Sequence, residues 1–219
     1  RLFPNINKKI SFVRFACHYD EIFGLRDCIR WLSQNRVSVF INIMQISEIN
    51  LDKLKKVCLN LSKTNVEALY FADSLGALEI KKFKKFIQLT NKYWKKDLGL
   101  HAHDNLNLAL KNSEYAIKNN FRWIDCTIMG MGRGPGNLKT EEILKKVDRE
   151  QVKKIKILKI KYFEDLRKKY RWGTNYYYKE AAKRKIHPTY IQQMLADKRY
   201  KKRDYKSILK SLSNENAKK

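Results

Sequence analysis

The chain has 219 residues, 43% of them hydrophobic, which is enough for a packed core and too much for a wholly disordered polypeptide. No run approaches the ~18 consecutive apolar residues of a membrane-crossing helix. Forty-eight Lys and Arg against 22 Asp and Glu give a net charge of +26, a balance that favours polyanions or small anionic metabolites as partners. The basic residues are spread along the chain at polar positions of amphipathic helices, as in Lys81-Lys82-Lys84-Lys85 and Lys145-Lys146. A solvated basic surface is therefore expected rather than a nucleic-acid face. Only the denser end, from Lys183-Arg184-Lys185 through Lys198-Arg199-Tyr200-Lys201-Lys202-Arg203, keeps nucleic-acid binding as an alternative.

Five short, apolar β-rich runs alternate with helical patterns. Strands are predicted over residues 10–17, 37–44, 66–73, 98–103 and 121–128, with helices over about 19–35, 50–63, 78–94, 105–119 and from 140 onward. Nearly continuous apolar strands joined by helical crossovers predict an α/β fold with a parallel sheet covered by helices. Polar residues recur at the strand ends: His18, Gln45, Asp73-Ser74, His101 with His103, and Asp125-Thr127. This favours a TIM (β/α)8 barrel, whose active site lies at one end of the strands, over an open doubly wound sheet.

Five strands do not close such a barrel, and three more βα units would add roughly 90 residues. The chain opens Arg1-Leu2-Phe3-Pro4-Asn5, so it is expected to be the C-terminal portion of a longer protein, supplying about the last five βα units. Residues 1–148 are assigned to the barrel and 149–219 to a small helical C-terminal domain. In the latter, helical patterns cover 152–170, 176–184, 190–195 and 205–212, and 213–219 form a polar tail. Cys17, Cys28, Cys58 and Cys126 lack CxxC spacing and read as reduced thiols of a cytoplasmic protein.

The sharpest chemical feature is His101-Ala102-His103. Alternate strand residues share a face, so both imidazoles project together and form half of a metal site. Two strand-end histidines held by hydrogen bonds are the plainer alternative. Asp104-Asn105 could orient a ligand, but capping of the next helix is the expected role. The loop Gly130-Met131-Gly132-Arg133-Gly134-Pro135-Gly136-Asn137 lets backbone N–H groups approach a ligand closely. It lacks the Lys-Ser/Thr of a P-loop.

Together, Gly99-Leu100-His101-Ala102-His103-Asp104-Asn105-Leu106, Ile124-Asp125-Cys126-Thr127 and the Gly-rich loop resemble the last two barrel strands of the HMG-CoA-lyase-like metal-dependent aldolases. The nearest branch is that of the 4-hydroxy-2-oxovalerate aldolases. Val13-Arg14-Phe15-Ala16-Cys17-His18 and Tyr70-Phe71-Ala72-Asp73-Ser74-Leu75-Gly76 are similar to that branch's fourth and sixth strands.

The resemblance implies that His101, His103 and Asn137 ligate a divalent metal, Mn²⁺ or Mg²⁺ with Co²⁺ or Zn²⁺ as alternatives. A family Arg-Asp pair that would complete the site has no match here. Asp73, Ser74 and His18 would position the substrate. A tyrosine from the C-terminal region would transfer the proton, with Tyr176 favoured among Tyr176-Tyr177-Tyr178, although packing could explain all three.

The implied reaction is aldol cleavage of a 4-hydroxy-2-oxo acid to pyruvate and an aldehyde, or the reverse, with an aldehyde dehydrogenase or a second copy of the chain as partner. Claisen condensation of an acyl-CoA with a 2-oxo acid, as in isopropylmalate and citramalate synthases, is the neighbouring alternative. The 219 residues alone are expected to be nearly inactive.

Overall fold

The computed structural model describes residues 10–216. Residues 1–9, with the opening Arg1-Leu2-Phe3-Pro4-Asn5, and 217–219 of the polar tail lie outside the described residues. Five βα steps follow one another: β1 Phe12–Cys17, α1 Arg26–Gln34, β2 Ser38–Ile43, α2 Leu51–Leu61, β3 Val66–Asp73, α3 Ile80–Tyr93, β4 Asp97–Ala102, α4 Ala109–Lys118 and β5 Trp123–Asp125. All neighbours are parallel and the spatial order is β1-β2-β3-β4-β5. Each crossover therefore advances one strand in the same direction, as in a barrel wall; a doubly wound sheet would reverse.

The sheet also curls. In a flat sheet, β1 and β5 would stand roughly 19 Å apart across four interstrand spacings, yet an Arg14 guanidinium nitrogen lies 2.8 Å from Asp125 Oδ2. Ring contacts cross the same concave face, with centroids 5.0 Å apart for Phe12–Phe40, 6.2 Å for Phe40–Tyr70 and 5.4 Å for Phe40–Trp123. The predicted barrel wall is thus observed as five curled parallel strands. Phe40, Ala68 and Tyr70 form its inner core.

The convex face carries the larger core. Val39, Ile41, Ile43, Leu69, Phe71 and Leu100 meet Ile29, Leu32, Leu54, Val57, Phe83 and Phe86 from α1, α2 and α3. β2 and β3 are covered on both faces and almost wholly buried. β1 alternates instead, with Phe12 53% exposed, because its concave face is covered from one side only.

Helices α5 Thr140–Val147, α6 Arg149–Leu158 and α7 Glu164–Tyr170 follow, the last two joined by a π-helical turn, Lys159–Phe163. Asp148 caps α6 by accepting from Glu150 N and Gln151 N. Then come α8 Tyr176–Lys183, α9 Pro188–Ala196 and α10 Tyr205–Asn216, the last extending past the predicted end at 212. Tyr178, Ala181, Ile186, Ile191, Met194 and Leu209 give these helices a small core of their own.

Hydrogen bonds fix this segment over the C-terminal ends of the strands. Trp172 Nε1 donates to Met129 O (3.0 Å), Gly173 N to Gly134 O (2.9 Å) and Thr174 Oγ1 to Asn105 O (2.8 Å).

β5 is only three residues long where 121–128 was predicted. Beyond Asp125 the backbone leaves the sheet and pairs with the returning Gly-rich loop: Thr127 N donates to Leu138 O and Thr140 N to Thr127 O. The helix predicted from 105 starts at Ala109, after Asn107 takes a left-handed φ of 59° that a helix does not accommodate.

Candidate metal centre

His101 lies on β4 and faces the concave side of the sheet. Its Nδ1 is 2.9 Å from Asp125 Oδ2, and Asp125 also accepts from Arg14 Nη1 (3.0 Å to Oδ1). The Arg14 guanidinium rests 4.6 Å above the centre of the Tyr70 ring. Side chains of β1, β3, β4 and β5 thus form one chain: Tyr70, Arg14, Asp125, His101.

Burial works against an ionised Asp125, but hydrogen bonds from His101 and Arg14 outweigh it and hold the carboxyl below its usual value. The phenol of Tyr70 is pushed up to about 12, mainly by burial, so it is neutral. A carboxylate at Nδ1 makes that nitrogen the donor and leaves the lone pair on Nε2, an arrangement common behind metal-binding histidines.

His103 follows on the same face, its ring centroid 5.2 Å from that of His101. Burial first, then the charge of His101, pushes it down to about 4, so its ring is neutral at physiological pH. Its Nδ1 is buried and makes no geometrically sound hydrogen bond among the described residues, although the Ser74 backbone lies near enough to the ring to oppose the downward shift. A buried imidazole nitrogen without a partner is costly in an apo protein and suited to a ligand.

His103 is bridged to Asn137 of the Gly-rich loop. Asn137 Nδ2 donates to Met131 O (3.1 Å), which leaves the amide oxygen as its electron-pair donor. The loop's glycines permit this approach: a Cβ on Gly132 would lie 2.6 Å from Asn137 Nδ2. The rings of His101 and His103 lie side by side, and the backbone of Asn137 is bridged to that of His103, so two imidazoles and one amide oxygen form a candidate donor set. That set fits part of the coordination shell of a divalent metal. Among the described residues, no group of three His, Cys, Asp or Glu gathers around a common point, so no carboxylate ligand completes it there.

The other expected site residues are placed differently. Asp73 is buried, and its two oxygens accept from Ala77 N (3.1 Å) and Leu78 N (2.9 Å) in the turn leading to α3. Burial raises its carboxyl to about 6. Ser74 Oγ accepts from Gln45 N (3.0 Å). Both side chains hold backbone at the strand ends. His18 is exposed, just beyond β1, beside the cleft described below.

Asp104 acts as the expected cap, its Oδ1 accepting from Ala109 N (3.2 Å). Asn105 is fully buried, and both polar atoms of its side chain lack partners among the described residues. Tyr176 is 68% exposed, with its ring against Tyr177. Tyr178 is 4% exposed and packs on the Gly-rich loop, where a Cβ on Gly134 would stand 3.0 Å from its ring and 3.1 Å from its hydroxyl.

Sequence reasoning gave Arg14 no role, noted Asp125 only as a polar strand end, and weighed Tyr178 but favoured Tyr176. A charged residue at a concave-face position between Val13 and Phe15 was the available signal for Arg14. For Tyr178 it was the helical stripe Tyr178, Ala181, Ala182, which marks the one tyrosine of the three that faces inward.

A family model described as HMGL-like matches residues 11–166, a span that contains all five strands, the two histidines and the Gly-rich loop. The chain belongs to the HMGL-like family. The expected family resemblance is thereby borne out. Among curated relatives, 4-hydroxy-2-oxovalerate aldolase 2 of Rhodococcus jostii is 26% identical over 136 residues, 62% of this chain and 40% of that protein. The 2-isopropylmalate synthase of Carboxydothermus hydrogenoformans is 37% identical over 102 residues, 45% of this chain and 20% of that one. Among solved structures, the N-terminal domain of a putative aldolase from Bacteroides vulgatus superposes with a TM-score of 0.75 at 29% identity, over 84% of this chain and 63% of that one. The chain spans about two fifths of the length of the aldolase relatives it matches.

No described helix is long and apolar enough to cross a membrane.

Proposed function

We propose that the protein is a divalent-metal-dependent aldolase that cleaves a 4-hydroxy-2-oxo acid to pyruvate and an aldehyde, or joins them. The observation that carries this reading is the pairing of a carboxylate-oriented imidazole, His101 held by Asp125 at 2.9 Å, with a neighbouring His103 whose buried Nδ1 is unpartnered among the described residues.

His101, His103 and Asn137 would hold the metal, with Mn²⁺ or Mg²⁺ favoured and Co²⁺ or Zn²⁺ as alternatives. When bound, such a cation supplies Lewis-acid polarisation of the 2-oxo acid and offsets the negative charge that develops on carbon–carbon cleavage. Asp125 keeps the proton on His101 Nδ1 and fixes the ring, and Arg14 keeps Asp125 ionised. The backbone of the Gly-rich loop carries Asn137 into place.

We assign the C-terminal proton-transfer role to Tyr178 in place of Tyr176, because Tyr178 is the tyrosine against the Gly-rich loop. Asp73 and Ser74 act by fixing the strand ends that border the site, and His18 by facing the cleft there. The helical segment from residue 149 is the proposed surface for an aldehyde dehydrogenase or a second copy of the chain. The four cysteines are all free, which fits a cytoplasmic setting.

The match to a 2-isopropylmalate synthase supports one rival, acyl-CoA-dependent condensation. The test is to incubate the full-length protein with 4-hydroxy-2-oxopentanoate and Mn²⁺ and to measure pyruvate through lactate dehydrogenase. Pyruvate release without CoA, abolished by chelation and restored by Mn²⁺, is the expected result. Thiol release from acetyl-CoA with a 2-oxo acid, and no pyruvate from the hydroxy acid, would establish the rival. Neither activity in the metal-loaded protein would refute both.

A further inference from the structure

A cleft of about 1040 Å³ opens at the C-terminal ends of β1 and β2 and is bounded opposite by α8 and α9. His18, Gln45 and Glu48 line it from the strand ends; Arg184, Lys185 and His187 line it from the helical side. Its charge is unbalanced. Among the described residues, Glu48 is the only carboxylate in the wall, and Lys185 pairs with it at 3.1 Å. Arg184 is loosely paired, 3.6 Å from Glu180.

Arg133, exposed and not itself part of the lining, adds a further charge at the edge of the cleft through Thr189. It leaves the Gly-rich loop and donates from Nη2 to Thr189 Oγ1 (2.9 Å), and Thr189 itself lines the cleft. Thr189 is neutral, and no carboxylate pairs with Arg133 among the described residues. The guanidinium is therefore held in place by a hydroxyl while its charge is uncompensated. His187, in the lining, is lowered by burial first and then by Arg133 and His18. A fixed guanidinium beside a roomy, polar, net-positive cleft is what a terminal oxyanion requires.

We propose that this cleft, with Arg133 as its anchor and His187 beside it, is a subsite for an anionic group on the part of the substrate remote from His101 and His103. The aldehyde portion would then carry a terminal carboxylate or phosphate. The assignment of the cleft to substrate rests on the aldolase reading; the anion site itself does not. The two sources share one chemistry, a terminal oxyanion facing Arg133, and separate probes tell them apart.

The experiment is titration calorimetry of the full-length protein, without added metal, using inorganic phosphate in one arm and succinate in the other. One of the two anions should bind at millimolar concentration or below. The Arg133→Met variant should weaken that binding at least tenfold, and Arg133→Lys, which keeps the charge, should weaken it less. Thr189→Val should also weaken it, because the guanidinium loses its tether. No binding of either anion, or binding that Arg133→Met leaves unchanged, would overturn the site.

In a second readout, kcat/KM for 4-hydroxy-2-oxo acids ending in a carboxylate or a phosphate is compared with that for a neutral homologue of similar length. A preference of at least tenfold for one charged tail, diminished in Arg133→Met, is expected. Cleavage with no preference would refute the subsite and leave the aldolase standing. Anion binding that depends on Arg133, with no 2-oxo acid cleaved, would do the reverse.

Discussion

Replacing Asp125 with Asn tests whether the chain from Arg14 to His101 serves metal binding or only the fold. Asp125 accepts from His101 at 2.9 Å and from Arg14 at 3.0 Å. An amide has one acceptor oxygen and no charge, so it can satisfy one of these partners weakly and presents N–H to the other. The Arg14 and Asp125 side chains are 31% and 25% exposed. The cost of separating them is therefore discounted from that of a fully buried pair to about 1–2 kcal/mol of stability, or a fall in Tm of ~2–8 °C.

Loss of the carboxylate behind a metal-binding histidine weakens the metal by about 10–100-fold, equivalent to roughly 1.4–2.7 kcal/mol. Calorimetric titration of Mn²⁺ into the full-length protein measures the second effect, and thermal denaturation the first. The comparison variant is Arg14→Met, which leaves His101 its carboxylate. It should reproduce most of the loss in Tm with a much smaller change in Mn²⁺ affinity. If Asp125→Asn lowers Tm and leaves the Mn²⁺ Kd untouched, Asp125 holds the barrel wall together and does not orient a ligand.

Tyr178→Phe should lower kcat of the full-length enzyme by ~100-fold or more, the scale of general acid–base catalysis, with Tm nearly unchanged; Tyr176→Phe should stay within about twofold, and equal effects would refute the choice between them. Gly134→Ala should cost about 1–3 kcal/mol in chemical denaturation, because Gly134 has a φ of 54° and the new methyl meets the Tyr178 ring at 3.0 Å; a neutral result would contradict the packing of the loop. Asp73, with its carboxyl raised from 3.8 to about 6 by burial, binds its proton more tightly folded than unfolded, so its contribution is complete below about pH 4 and diminishes as pH rises to 6, by up to roughly 3 kcal/mol. The stability of the wild type relative to Asp73→Asn should decline across that window in melts at successive pH values, and parallel profiles would refute the assignment.

Much of the wall was legible because local periodicity reports which face a residue occupies. The third strand runs from Val66 to Asp73 as its apolar, aromatic-rich run predicts, and the shared face of His101 and His103 follows from strand alternation alone. Periodicity does not say what a face meets. Arg14 and Asp125 lie 111 positions apart and touch only because four successive crossovers curl the sheet. The fifth strand was overestimated for a related reason: residues 126–128 look β-prone, but their backbone partners are in the returning loop at Leu138 and Lys139. Asp73 was misleading in another way. A polar strand end suggests chemistry, whereas its oxygens are occupied by the amides of its own turn.

The clasp between the C-terminal segment and the Gly-rich loop makes them one mechanical body. Gly173 grips Gly134 by its carbonyl, Trp172 grips Met129 in the same way, and Asn137 sits three positions beyond Gly134 on the same short arc. A load placed on the outer helices would therefore reach the arc that carries Asn137 through less than one loop of backbone.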